Sequence, residues 1–111
     1  MQYATAKTRF VRISPRKARL AAGLIRGMKV EDAAVQLMYC NLKGGKLLGK
    51  TLKSAIANAE TQLNLQRSNL KVKEVRVDCG PVTKRAKSRS KGGRVPVMKR
   101  TSHFTIIISG E

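Results

Sequence analysis

Apolar positions recur with the two-residue spacing of strands in three parts of the chain. Residues 3–13 are rich in β-branched and aromatic side chains, residues 70–79 alternate most clearly, and residues 100–109 form an apolar final segment. The residues of the last two strands expected to face a core are Val75, Val77, Cys79, Phe104, Ile106 and Ile108. Val72 is out of phase with this set, which predicts a bulge or two-sided contact near Lys73.

Between the first two strands, apolar positions recur with helical spacing and predict three helices. Ser14-Pro15 is typical of a helix start, with the Ser14 side chain as cap, and Gly27 of a helix end. A second helix is expected over residues 30–39, and a third, with Asn41 as its cap, is expected to run to about Gln62. The predicted packing faces are Leu20, Ala21, Leu24, Ile25 and Met28, then Ala33, Ala34, Leu37 and Met38, then Leu48, Leu52, Ala55, Ile56 and Ala59. Together these elements predict an α+β fold, with three helices packed on a small antiparallel sheet.

Residues 80–100 predict a long basic β-hairpin that protrudes from this body. Its eight cations, without any carboxylate, are Lys84, Arg85, Lys87, Arg89, Lys91, Arg94, Lys99 and Arg100. Gly92-Gly93 favours a tight turn, and arms of about ten residues at roughly 3.3 Å each would reach about 30 Å. Such a ribbon repels itself and is marginal alone, so its order must come from a polyanion outside the protein.

The charge of the whole chain indicates the same kind of partner. Its 111 residues carry 24 Lys and Arg against 6 Asp and Glu, a net charge of +18. This balance suits nucleic acid or an anionic membrane, but there is no apolar run near the ~20 residues of a membrane span and no Trp. Nucleic acid is therefore the expected partner, without a membrane, and the N-terminal sequence has no signal-peptide pattern.

The residues that could carry chemistry are few and scattered. Cys40 and Cys79 lack the spacing of a zinc site or redox pair, and His103 is the only histidine. No carboxylate pair or nucleophile-base arrangement stands out. We therefore expect no enzyme, cofactor, metal site or small-molecule substrate.

The first predicted helix carries a cationic stripe opposite its apolar stripe. Arg16, Arg19, Gly23 and Arg26 recur at spacings of three, four and three residues. The stripe is either an ordinary solvated face or a surface for a phosphate backbone, and the lack of interspersed acids favours binding.

Four segments, in order, resemble a known family. They are SPRKARLAAGLIRG (14–27), SAIANAE (54–60), VRVDCGP (75–81) and KRTSHFTIIIS (99–109), with the basic segment between the last two. The chain thereby resembles the large-subunit ribosomal proteins numbered twenty-two, of the bacterial type. The resemblance covers nearly all of residues 1–111 and implies one domain, with residues 80–100 as its hairpin extension.

The resemblance implies a structural constituent of the cytoplasmic ribosome that binds large-subunit rRNA, helps its assembly and contacts neighbouring ribosomal proteins. The hairpin is expected to line the exit tunnel and meet the nascent polypeptide. Expected rRNA-binding residues are Lys7, Arg9, Arg12, Ser14, Arg16, Lys17, Arg19, Arg26, Lys84, Arg85, Lys87, Arg89, Lys91, Arg94, Lys99 and Arg100. The expected tunnel-lining tip is Lys87, Ser88, Arg89, Ser90, Lys91, Gly92, Gly93 and Arg94.

A free-standing architectural DNA- or RNA-binding protein is the alternative that shares the charge and the arm. Such a protein more often dimerises through an apolar interface, and no spare apolar face remains once the core is assigned. A bacterial and an organelle-encoded origin both fit the sequence.

Overall fold

The computed structural model describes residues 2–110, and its elements follow the predicted order. In chain order they are β1 (Gln2–Val11), α1 (Pro15–Ile25), α2 (Val30–Met38), α3 (Lys43–Gln62), β2 (Leu70–Cys79), β3 (Thr83–Ser88), β4 (Arg94–Lys99) and β5 (Ser102–Gly110). β1, β5 and β2 form one antiparallel sheet, and β3 pairs with β4 in a second. The prediction of an α+β fold with three helices, an antiparallel sheet and a protruding hairpin is confirmed.

β5 is the central strand of the three-stranded sheet, and its apolar residues form the floor of the core. Phe104, Ile106 and Ile108 are fully buried, as the alternation predicts. Opposite Ile106 lie Ala6 of β1 and Val75 of β2, so all three strands contribute to one apolar face. The helices cover this face, with α3 against β1 and β5 and α1 against β2.

β2 contains the irregularity that the sequence predicts. Its register with β5 shifts between Val72 and Glu74, which leaves Lys73 as the extra residue of a bulge. The shift brings Val72 into the core beside Val75. Cys79 was expected on the same buried face, and this prediction is wrong: the thiol is exposed because the end of β2 borders an open cleft beside the start of α1.

α1 buries a stripe that only partly matches the predicted one, since Ala21 and Ile25 are buried as expected. Its core residues are Pro15, Ala18, Ala21, Ala22 and Ile25, whereas Leu20 is 62% and Leu24 42% exposed. Small residues face inward because α1 lies close to α3: a Cβ added at Gly44 would come within 3.1 Å of the Ala18 Cα atom. Ser14 takes the cap position, but its side chain makes no capping hydrogen bond, in contrast to the prediction.

α2 and α3 lie close to their predicted ranges. The α3 stripe Leu48, Leu52, Ala55, Ile56 and Ala59 is buried as predicted. The helix begins at Lys43 with Leu42 as its cap, not Asn41. Met38 was expected to pack against the body, but it is 73% exposed, because α2 ends there and buries only Val30, Ala33 and Leu37.

The hairpin consists of β3 and β4, paired from Thr83 opposite Lys99 to Ser88 opposite Arg94. β3 is exposed along its whole length. The turn differs from the predicted one: the positive φ angles lie at Lys91 (61°) and Gly92 (71°), while Gly93 has φ −70°. The molecule is elongated, with principal extents of 63 × 24 × 17 Å.

Candidate nucleic-acid interface

Hydrogen bonds at the root of the hairpin join its two arms to each other and attach them to the body. The Gly80 N–H donates to the Thr101 carbonyl (2.9 Å), and the Thr101 hydroxyl donates to the Pro81 carbonyl (2.7 Å). The buried Ser102 hydroxyl donates to the Ile13 carbonyl at 2.6 Å. These bonds fix where the hairpin leaves the body, although the hairpin itself has no core.

The close approach at the root requires glycine at position 80. A Cβ added there would lie 3.2 Å from the Thr101 carbonyl carbon and would overlap the Thr101 hydroxyl oxygen. Neither neighbour is the free end of a long side chain, so neither can move away cheaply. The sequence contains this residue in the segment VRVDCGP, but only the structure identifies the contact that requires it.

The hairpin cations are exposed and have no acidic partner. All eight predicted cations between residues 80 and 100 lie on the surface, and this segment contains no carboxylate. Within residues 2–110 there are two ion pairs, Arg67 with Glu60 and Arg76 with Glu74, and neither involves the hairpin. The guanidinium and ammonium groups are therefore available to an external anion.

Two adjoining basic clefts lie at the hairpin root. One, of about 860 Å³, lies between the start of α1, the start of α3 and β4, and the other, of about 560 Å³, lies between the start of α1 and residues 79–82. Both are lined by Ser14, Lys17, Leu20 and Arg100. The first also contains Arg12, Lys43 and Lys99, and the second contains Arg16 and Arg19. The structure thus brings together residues that the sequence placed in separate segments, and it adds Lys43, which sequence reasoning did not select.

Arg19 and Arg26 have a structural task as well as a surface position. The Arg19 Nε and Nη2 atoms donate to the Val77 carbonyl (3.2 and 3.0 Å), and the Arg26 Nη2 atom donates to the Val75 carbonyl (3.0 Å). The loop after α1 makes two further backbone hydrogen bonds with Val72. Since β2 is an edge strand, this cover satisfies carbonyls that would otherwise invite another chain to pair.

A second basic surface lies on β1, around an aromatic residue that sequence reasoning did not select. Lys7 and Arg9 are exposed there, and Phe10 between Arg9 and Arg12 has a φ angle of 58°. The Phe10 N–H donates to His103 Nδ1 at 3.1 Å. The available sequence signal was an aromatic residue within a basic run.

The few carboxylates are placed where the fold uses them. The hydrogen bond from Arg76 holds the pKa of the Glu74 carboxyl below its usual range, and the same contact raises the pKa of Arg76. Glu31 and Asp32 lie in the first turn of α2, where negative charge complements the helix dipole. These acids do not border the basic clefts at the hairpin root.

Other kinds of site find little support in the described part of the chain. Among residues 2–110, no three His, Cys, Asp or Glu side chains come together as a metal site would require. No helix in that range is long and apolar enough to cross a membrane.

Comparison with known proteins identifies the family. A model of the family described as ribosomal protein L22p/L17e matches residues 6–109. The chain belongs to this family. A relative from Protochlamydia amoebophila (strain UWE25), named large ribosomal subunit protein uL22, is 67% identical over 109 residues, which are 98% of each chain. A protein of the same name from Chlamydia pneumoniae is 57% identical over 103 residues, 93% of each chain.

Membership of the family confirms the predicted resemblance to large-subunit ribosomal proteins of the bacterial type. The expectations of a structural, non-enzymatic ribosomal constituent and of a location in the cytoplasmic ribosome are confirmed with it. The family does not support the alternative of a free-standing architectural protein.

Proposed function

We propose that the protein binds large-subunit rRNA through its body and hairpin, helps the RNA to fold during assembly, and lines the nascent-peptide exit tunnel with its hairpin tip. In this proposal residues 1–111 act as one domain with residues 80–100 as its extension. The observation that carries it is a carboxylate-free hairpin whose eight cations are all exposed, fixed to the body beside two basic clefts.

The binding follows from counterion release. Each cation that neutralises a phosphate releases condensed counterions, so affinity depends on salt and little on sequence. Arg guanidinium groups at Arg85, Arg89 and Arg94 suit bidentate phosphate contacts. Because A-form RNA hides its base edges in a deep groove, the shape of irregular RNA segments would supply specificity.

The clefts at the hairpin root would hold RNA from more than one direction. The α1 start contributes Arg16 and Lys17, while Arg12 and Arg100 come from segments far apart in sequence. An RNA segment bound there would contact groups that meet only in the folded body. This arrangement supports a role in assembly, because the protein then holds a particular RNA conformation.

The tip suits a passage for nascent polypeptide because it is narrow and offers no large apolar side chain to the passing chain. Residues 87–94 contain Ser88, Ser90, Gly92 and Gly93 among four cations, without a large apolar side chain. Six paired residues in each arm, at about 3.3 Å per residue, extend roughly 20 Å beyond the root. Such a ribbon can follow the RNA wall of a tunnel, while its small residues leave space for the passing chain.

The far end of α2 suits contact with neighbouring ribosomal proteins better than contact with RNA. Val35, Met38 and Tyr39 are all more than half exposed there. Exposed apolar clusters of this kind mark protein interaction surfaces.

The proposal is tested by equilibrium binding to large-subunit rRNA at several salt concentrations. We expect Arg16→Glu with Lys17→Glu to weaken binding and to lower the salt slope by about one for each phosphate that the variant no longer neutralises. The matched control reverses Lys50 and Lys53, which line a different groove between α2 and α3. An equal decrease in affinity for both double variants would indicate unspecific attraction and would contradict a defined interface at α1.

A further inference from the structure

The strained residue of β1 is the best candidate for a site that the cationic surfaces do not explain. Phe10 has a φ angle of 58°, a conformation that bulky L-residues rarely adopt. The pairing of β1 with β5 is interrupted at this point, between Thr8 and Val11. Such strain persists only where surrounding structure enforces it, and it is concentrated at functional sites.

The structure holds the Phe10 ring outward. The side chain is 63% exposed, although hydrophobic burial would favour the opposite. On the protein side, the ring packs edge-on against the His103 ring, with centroids 5.0 Å apart and planes at 88°. The backbone hydrogen bond from Phe10 to His103 Nδ1 fixes the same bulge. One residue of β5 thus holds both the backbone and the ring of Phe10.

The charges around the ring favour an anionic partner. Lys7, Arg9, Phe10 and His103 line a cavity of about 280 Å³, in which Asp78 is the one carboxylate. Lys7 and Arg9 are both exposed, and residues two apart in a strand are about 6.6 Å from each other. That arrangement suits consecutive phosphates of one strand on each side of a base.

We propose that Phe10 is a stacking platform for one unpaired base of the bound RNA, with Lys7 and Arg9 on its flanking phosphates. Unpaired bases of folded RNA stack on aromatic side chains, and the stacking does not require a particular base. The proposal rests on the rRNA-binding function proposed above and adds a defined contact to it. The stacking contact then explains why the backbone is strained at this surface position, because the ring must face the partner and not the core.

The first test uses Phe10→Trp in the full chain, which contains no other Trp. Stacking on a base quenches indole fluorescence, so we expect quenching when large-subunit rRNA is added. Tyr39→Trp is the control, because Tyr39 is exposed at the end of α2 and should keep its fluorescence. Equal quenching in both variants, or none in either, would overturn the stacking contact.

The second test compares the affinity of Phe10→Leu and Phe10→Tyr for the same RNA. The absence of stacking should weaken the binding of Phe10→Leu by about 5- to 150-fold, while Phe10→Tyr keeps the wild-type affinity. The salt slope should not change, because Lys7 and Arg9 still neutralise the flanking phosphates. If Phe10→Leu no longer shows helical circular dichroism, the two aromatic variants decide the question, since both keep a ring.

The outcomes separate this proposal from the function on which it rests. Tight, salt-dependent binding with unchanged affinity of Phe10→Leu and no quenching of Phe10→Trp would leave rRNA binding intact and assign the Phe10 surface to a protein neighbour. Failure of the wild-type chain to bind rRNA would contradict the proposed function and the stacking platform together.

Discussion

Arg19 shows that a cation predicted to meet phosphate can also hold the fold together. A guanidinium group has five N–H donors. The Val77 carbonyl accepts from Nε and Nη2 of Arg19, so donors remain for an external anion. The sequence of the α1 stripe fits either a solvated face or a binding surface. The structure adds a third role, because Arg19 also protects the edge of β2.

This structural task predicts a decrease in stability for the variant Arg19→Met. Met keeps an apolar stem but has no donor, so the Val77 carbonyl is left without its partner. We expect the free energy of unfolding to fall by about 1 kcal/mol. Thermal denaturation would register this as a decrease of about 4 °C in Tm.

Arg16→Met is the matched control for this variant. Arg16 is exposed on the same helix, and it donates no hydrogen bond to the described residues, so the unfolding free energy should change by less than about 0.5 kcal/mol. Equal stability of the Arg19→Met and Arg16→Met variants would contradict the edge-protecting role.

Among the elements, the hairpin depends most on a single backbone contact. It has no core of its own, and its direction is set where Gly80 meets Thr101. The hydrogen bond that the Ser102 hydroxyl donates to the Ile13 carbonyl then attaches this point of the hairpin to the body. Substitutions at the root should consequently change the position of the hairpin, whereas substitutions along β3 should leave it unchanged.

Two glycine substitutions test this view, because they should change the free energy of unfolding in opposite directions. Gly80→Ala should lower the unfolding free energy by about 1–3 kcal/mol, because its Cβ overlaps Thr101. Gly23→Ala, inside α1 with no atom within 4 Å of the new Cβ, should raise it by about 0.5–1 kcal/mol. Chemical denaturation of both variants measures the difference, and a Gly80→Ala variant as stable as wild type would show that the root is not closely packed.

At the same scale, periodicity predicted most elements but not always the face that they bury. Strand alternation identified β2, β5 and even the bulge at Lys73, since each side chain has only two sides to choose between. In α1 the leucines suggested one stripe, whereas the fold buries Ala18 and Ala22. The choice depends on how closely α3 approaches at Gly44, and that is a tertiary property.

The candidate interface was predictable only in part for a related reason. Charge density identifies the hairpin cations, because no fold is needed to count them. The turn at Lys91-Gly92 was placed one residue too late, since glycine is the more permissive residue and Lys91 is not expected at positive φ. The strain at Phe10 depends on its contact with His103, 93 residues away, so no local pattern shows it.

As a whole, the molecule is a small body with most of its excess charge left unpaired. The cations behind its net charge of +18 repel one another. Among the described residues, two exposed ion pairs offset little of this repulsion. The core relies on close packing of small residues between α1 and α3 and on the apolar face of β5. Such a chain gains stability from its partner, because an anion that binds the folded state shifts the equilibrium toward it.

Sedimentation of the tagged protein through a sucrose cushion, at low and then at high salt, tests whether these surfaces act together on one RNA. We expect the protein to travel with large ribosomal subunits and to stay with them at high salt, because in the proposed binding mode the clefts, the hairpin and β1 contact the RNA at the same time. Release at moderate salt, with the protein following bulk RNA or DNA instead, would contradict a defined interface, since unspecific electrostatic attraction would then be sufficient.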